Sequence, residues 1–267
     1  MTNDKHAPRT TQYVALALIA AFVALWLAPE VVAWFNRGED EAWARVQRSG
    51  VIRFAIDPSY MPFDGLGSQG DFYGIDVEIA QEIARRSGLR AEFIIAGQDS
   101  LYDVLEVGQA DATISALIVN PIIDYVWDYS MPYFDAGQIL VTRVEAASVQ
   151  QFTVFAVEFG SDGDAAARHL ARRQAGIEVR QFPTASEALQ AVSDGQMDAA
   201  IVDAISARQL IPKAYPQLKI GEYVTHDPLA IAVWGESAQL LAAINRALAE
   251  MQQDGTTQRI IDAWMAK

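Results

Sequence analysis

From Val51 onward, short runs of β-branched and aromatic residues alternate with longer stretches whose apolar residues fall every three or four positions. That alternation restricts the chain to βα units around a largely parallel sheet. Residues 51–56 predict the first strand. Ile75, Ile79 and Ile83, with Ala80 and Ala84, share one helical face, with Asp76 placed to cap the helix and Gly88 to end it. Residues 89–96 predict the next strand, Ser100 and Asp103 open a second helix as a capping-box-like pair, and 111–115 form a third strand. The pattern resumes in the strands expected at 152–157, 178–181 and 197–202.

An internal echo says how these units are grouped. Gly108-Gln109-Ala110-Asp111-Ala112-Thr113-Ile114 recurs as Gly195-Gln196-Met197-Asp198-Ala199-Ala200-Ile201, each time after an apolar helix. A helix, a glycine stop, a tight turn and a buried strand thus occur twice, which points to two lobes on one plan. The competing explanation is that helix-to-strand turns converge on Gly followed by a polar residue. The apolar segments 138–141 and 229–233 flank the second lobe and read as crossings between lobes. The helix bearing Leu240, Leu241, Ile244, Leu248 and Met251 then completes the first lobe, and a capped segment at 256–264 closes the chain. The expected division is 1–36 as a tail and membrane segment, 37–140 plus 231–267 as lobe one, and 141–230 as lobe two.

Topology comes from the amino-terminal region. Lys5 and Arg9 precede an uncharged apolar run at 13–28, and after Pro29-Glu30 apolar residues resume through Phe35. As a helix, 13–28 spans about 24 Å and 13–35 about 35 Å, enough to cross a hydrocarbon core. A signal peptide and an anchor both fit. Ala28 is followed by Pro29 and no good A-x-A site lies beyond, which favours an uncleaved anchor. With Glu39, Asp40 and Glu41 on the far side, the positive-inside bias places the amino terminus in the cytoplasm and the remainder outside.

Several functions are disfavoured. A net charge of −14 with no basic run disfavours nucleic acid as a partner. The absence of cysteine removes disulfides, thiolate metal sites and a Cys nucleophile. His6, His169 and His226 lie far apart in sequence and suggest neither a zinc set nor a Ser-His-Asp arrangement, and no phosphate-binding glycine motif occurs.

The ordered segments VIRFAIDPSYMPF (51–63), GIDVEIAQEIA (74–84), GQADATIS (108–115), DYSMPYFDAGQILV (128–141), FGS (159–161), DAAIVD (198–203) and DGT (254–256) before Trp264 resemble the family 3 extracellular solute-binding proteins, the amino-acid-binding type of ABC importers. The resemblance implies an α/β, two-lobed, type II periplasmic-binding-protein-like fold with two hinge crossings, here preceded by the amino-terminal transmembrane helix. It also implies a small-molecule ligand in the cleft, no cofactor or metal, and an ABC permease as partner in the membrane.

Carried over residue by residue, the resemblance places Asp57 and Tyr60 in the first cleft loop, with the Tyr60 ring on the ligand. It places Ser115 at a hydroxyl or backbone position meeting a carboxylate, Gly160 and Ser161 at the covering helix start of lobe two, and Asp203 on a ligand ammonium. The departures bear on the ligand. Ile123, within Asn120-Pro121-Ile122-Ile123, stands where the family places a carboxylate-gripping Arg. Ala116 and Ile118 replace small hydroxyl or Gly residues, Gln98 stands at an aromatic wall, Glu158 precedes the Phe159-Gly160 turn, and Asp162 replaces Thr. A cleft with Asp57, Glu158, Asp162 and Asp203 but no Arg suits a cation better than a simple amino acid. Structural roles compete at each position: Asp57 as a turn former before Pro58, Asp162 at a helix dipole, Asp203 as an N-cap, and Glu158 as a solvated strand end. The functional alternatives are a tethered sensor or scaffold that keeps the fold without transport and, further off, a dehydratase-like enzyme.

Overall fold

A computed structural model describes residues 40–119, 126–145 and 152–267. The expected membrane helix at 13–35 and the Ile123 position lie outside the described residues; among those described, no helix is long and apolar enough to cross a membrane.

Two five-stranded sheets carry the two lobes. The first contains β1 (Val51–Ile56), β4 (Arg90–Ile95), β5 (Ala112–Thr113), β6 (Trp127–Tyr129) and β14 (Ala232–Trp234), in the order β4-β1-β5-β14-β6. β1 runs parallel to β4 and β5, whereas β14 is antiparallel to β5 and β6. The second contains β8 (Gln138–Arg143), β9 (Val154–Glu158), β10 (Glu178–Phe182), β11 (Ala199–Asp203) and β12 (Leu218–Tyr223), in the order β10-β9-β11-β8-β12. Here β9 is parallel to β10 and β11, and β8 is antiparallel to β11 and β12. Each sheet therefore has a parallel two-one-three core with an antiparallel strand beside the third, the shared plan that the internal echo implied.

The echo has a physical cause. Asp111 Oδ2 accepts from Arg53 N at 2.7 Å, and Asp198 Oδ2 accepts from Thr153 N and Val154 N at 2.9 Å each. In both lobes the aspartate ahead of the third strand holds the start of the first strand by its backbone N–H groups, which would otherwise be unpaired at a sheet end. Gly108 (φ 67°) and Gly195 (φ 75°) turn the chain through the left-handed region just before each aspartate.

Helices cover the sheets. α1 (Glu41–Ser49), α2 (Ile75–Arg86), the single turn α3 (Asp103–Glu106), α7 (Ala238–Gln253) and α8 (Thr256–Met265) serve the first lobe, and α4 (Asp162–Arg173), α5 (Ala185–Ser193) and α6 (Ala204–Ala214) the second. Ile75, Ile79 and Ile83 of α2 are buried beside Phe54 and Ile52 of β1, as their spacing predicts. Asp40 caps two helices at once: Oδ1 accepts from Trp43 N at 2.8 Å, and Oδ2 accepts from Gln239 N at 2.8 Å and Leu240 N at 3.1 Å. It thereby satisfies the first turn of α7, whose own N-cap Ser237 makes no side-chain bond.

Two local expectations are corrected. Asp76 does not cap α2; the N-cap is Gly74, and Asp76 is buried and turned toward Ala116 N. Ser100 and Asp103 form no capping box, because a 3-10 turn at Gln98–Ser100 intervenes and α3 makes no side-chain cap.

Of the two expected crossings, 229–233 begins in the observed return passage at Leu229, whereas the outgoing one differs. Residues 138–141 lie wholly within β8 of the second sheet. The two passages pair instead through a short antiparallel ladder of β7 (Phe134–Asp135) with β13 (Pro228–Leu229). Asp135 knots them: Oδ1 accepts from Gly137 N and Asp227 N at 2.9 Å each, and Oδ2 pairs with His226 Nδ1 at 2.6 Å. Gly137 is required there, since a Cβ would lie 2.2 Å from the Thr225 carbonyl oxygen.

Candidate functional site

The site on lobe two forms where β9 and β11 end and α4 and α6 begin. Gly160 (φ 74°) turns the chain out of β9 so that Ser161 can cap α4. Ser161 Oγ accepts from Asp164 N at 3.1 Å and donates to the Glu158 carbonyl at 2.8 Å, which fixes the turn. Behind it, buried Asp164 accepts from Gly160 N at 3.2 Å and Gln181 Nε2 at 2.7 Å and pairs with Arg168 at 2.5 Å. The Arg168 guanidinium holds the Asp164 carboxyl below its usual pKa range. Across the floor, Asp203 caps α6, with Oδ1 accepting from Ser206 N at 2.8 Å.

These elements enclose a cavity of about 300 Å³ lined by Gln138, Glu158, Gly160, Ser161, Asp162, Ala185, Val202 and Asp203. Five residues singled out by sequence thus meet in one place: Glu158, Gly160, Ser161, Asp162 and Asp203. Gln138, Ala185 and Val202 were missed. Gln138 carried a signal, being the amide that heads the apolar run Ile139-Leu140-Val141, and the structure sets it directly opposite Asp203 in the antiparallel register. Three carboxylates line the cavity, and among the described residues no Lys, Arg or His does.

On lobe one, the Asp57 carboxylate meets the backbone of Gln98 rather than its side chain: Asp57 Oδ2 accepts from Gln98 N at 2.9 Å. Tyr60 is 51% exposed and stacks on Phe63 with ring centroids 5.7 Å apart. Its phenol is raised above the usual pKa, first by desolvation and then by the Asp203 carboxylate, so the field of lobe two reaches the lobe-one ring. The Ile118 side chain is 53% exposed beside its backbone bridge to Leu229.

The Ser115 hydroxyl and the Ala116 N–H, expected by the resemblance to border the ligand, make bonds within the protein. Ser115 is 5% exposed; its Oγ accepts from Asp57 N at 3.0 Å and donates to Asp64 Oδ2 at 2.7 Å. One hydroxyl has one proton to donate, and Asp64 takes it. Ala116, held at φ 46°, donates its N–H to Asp76 Oδ2 at 2.6 Å. The Ser115 hydroxyl and the Ala116 N–H are therefore occupied by the protein's own acids.

Asp64 and Asp76 form a fully buried carboxyl pair beneath lobe one's cleft loop. Desolvation, and then the Asp76 charge, push Asp64 up to about 9. Desolvation raises Asp76 to about 6, against the pull of Ala116 N–H and Tyr133. Asp64 Oδ1, Asp76 Oδ1 and Tyr133 Oη are buried without a hydrogen bond of good geometry. A proton on Asp64 supplies a donor toward Asp76, because like charges so close in a dry site cannot both ionise.

Among the described residues, no cluster of three His, Asp or Glu side chains is arranged to hold a metal ion. The cavity instead presents hydrogen-bond acceptors, among them three carboxylates, a geometry for binding.

Comparison with known proteins agrees with this architecture. The chain is 27% identical over 227 residues to the L-cystine-binding protein TcyJ of Escherichia coli (strain K12), covering 82% of this chain and 84% of that one. It is 23% identical to ABC transporter arginine-binding protein 1 of Escherichia coli (strain K12), over 80% of this chain and 90% of the relative. Among solved structures, an ancestral cationic amino acid solute binding protein superposes with a TM-score of 0.60 at 26% identity, covering 83% of this chain and 98% of that one. Residues 52–267 match the bacterial extracellular solute-binding proteins, family 3, and the chain belongs to that family.

Proposed function

We propose that this protein captures a small cationic solute outside the cytoplasm by closing its lobes and delivers it to an ABC permease, with the apolar segment at 13–35 tethering it to the membrane. The observation that carries the ligand reading is the lobe-two cavity, where Glu158, Asp162 and Asp203 converge with no basic side chain among the described lining residues. A cation entering it exchanges water for carboxylate oxygens, and bonds to ionised acceptors are stronger than neutral ones. The half-exposed Tyr60 ring offers a π-face to the same charge. Relatives named for arginine and for cationic amino acids support the reading. Transport, rather than sensing, follows the relatives named as ABC transporter binding proteins. Lobe one supplies the first contacts through the 57–60 loop, and the Gly160–Asp162 turn and Asp203 make those that favour closure.

A thermal-shift panel on residues 38–267 tests this, with putrescine, L-arginine, L-lysine, L-glutamate and glucose as probes. A solute present at a hundred times its dissociation constant adds about 2.7 kcal/mol to stability and raises the melting temperature visibly. The amines should do so. A shift with glutamate and none with the cations overturns the proposal.

A further inference from the structure

Gln138 is where the cleft and the hinge meet. It opens β8 and is 5% exposed. Its backbone is clamped by the returning passage: its N–H donates to Thr225 Oγ1 at 2.9 Å, and its carbonyl accepts from Val224 N at 2.7 Å. Its side chain lines the cavity, opposite Asp203.

The amide is oriented at odds with its surroundings. Oε1 is buried and has no donor. A Cβ on Gly163 would lie 2.9 Å from this oxygen and 2.6 Å from the Ile201 carbonyl oxygen, so two acceptors flank one point with no proton between them. Leaving a buried acceptor unpaired is costly. Rotating the terminal amide by half a turn exchanges O and N within the same outline. The rotation puts the NH2 where the unpaired oxygen lies, on the side of the Ile201 carbonyl.

We propose that Gln138 reads the ligand: its amide oxygen accepts an N–H of the cationic solute next to Asp203, its NH2 is held by the Ile201 carbonyl, and its backbone clamp to Thr225 links an occupied cavity to the hinge. This rests on the cationic reading above, to which it adds one neutral, directional acceptor. A carboxylate attracts any cation from any direction, whereas an amide oxygen backed by a fixed carbonyl selects one whose N–H points at it. Gln138 thus sets orientation and specificity more than charge.

The test is calorimetric titration of wild type, Gln138→Leu, Gln138→Met and Asp203→Asn with L-arginine and putrescine, alongside melting of each ligand-free protein. Both Gln138 variants lose the NH2 that meets the Ile201 carbonyl, so they should melt at or somewhat below the wild-type temperature, and they should bind the cations about 10- to 150-fold more weakly, the range for a hydrogen bond to a charged group. Cation binding that Asp203→Asn weakens while both Gln138 variants match wild type overturns the role of Gln138 and leaves the cationic reading standing. A wild-type protein that titrates with L-glutamate and neither cation sinks both.

Discussion

Asp203 does two jobs that one substitution can separate. Its Oδ1 caps α6 through Ser206 N, and the same carboxylate lines the cavity. Asparagine is as good an N-cap as aspartate, whereas alanine loses the cap at a cost of about 1 kcal/mol, within a range of about 0.5–2. Asparagine also keeps the volume of the side chain and removes its charge. A hydrogen bond from a ligand ammonium to a carboxylate contributes about 1.5–3 kcal/mol, and each 1.4 kcal/mol is about a tenfold change in affinity. Asp203→Asn should therefore melt close to wild type and bind L-arginine or putrescine about 10- to 150-fold more weakly. Asp203→Ala should show that binding loss together with the loss of the cap. Urea denaturation and calorimetric titration on the three proteins read the two effects independently. The reasoning is refuted if the asparagine variant binds a cation as wild type does, or if it loses as much stability as the alanine variant.

Two further outcomes follow from the buried acids. Folded Asp64 keeps its proton up to about pH 9, whereas the unfolded chain releases it in the ordinary carboxylate range, so the folded state binds more protons in between and stability falls as pH rises through that window. Asp64→Asn retains a donor toward Asp76 and should flatten the decline in urea denaturation followed from about pH 5 to about pH 10; an unchanged slope would place the shared proton elsewhere. Asp135→Ala removes the acceptor that joins Gly137 N, Asp227 N and His226, and should cost about 1–3 kcal/mol and broaden the ligand-free shape in small-angle scattering. Because its partners hold Asp135 below the usual carboxylate pKa, the contribution is present near neutrality and fades as pH falls through that lowered value. A variant with wild-type acid sensitivity and unchanged scattering would remove Asp135 from the hinge.

The legible parts of the fold were those encoded by burial period and by local turns. The isoleucine spacing of α2, the glycine stops and the repeated aspartate each describe neighbours along the chain, and the structure realises all three. The lobe-two half of the site was equally local: a glycine turn, a serine cap and a strand end lie within a few residues of one another. What stayed hidden depends on partners far apart in sequence. Asp76 carries the local signature of a helix cap, yet its partner is Ala116 N, 40 residues away. Ser115 reads as a free cleft hydroxyl until Asp64, 51 residues back, is folded beneath it. Asp40 caps a helix through Gln239 N, 199 residues later. No periodicity records such pairings. An isolated amide such as Gln138 is likewise ambiguous until the opposite strand brings Asp203 across from it.

The ladder of β7 and β13, with the clamp from Thr225 to Gln138 beside it, makes the second lobe an insertion whose two ends lie a hydrogen bond apart. The two parts of lobe one, ending at β7 on one side and resuming at β13 on the other, must find each other across that insertion. Joining distant segments costs entropy that grows with the logarithm of the intervening length, about 0.6 kcal/mol for each doubling. Once the second lobe has folded, it shortens that separation to the width of a strand pair. The order of assembly is thereby biased: the inserted lobe serves as a scaffold that brings β14, α7 and α8 to the sheet they complete.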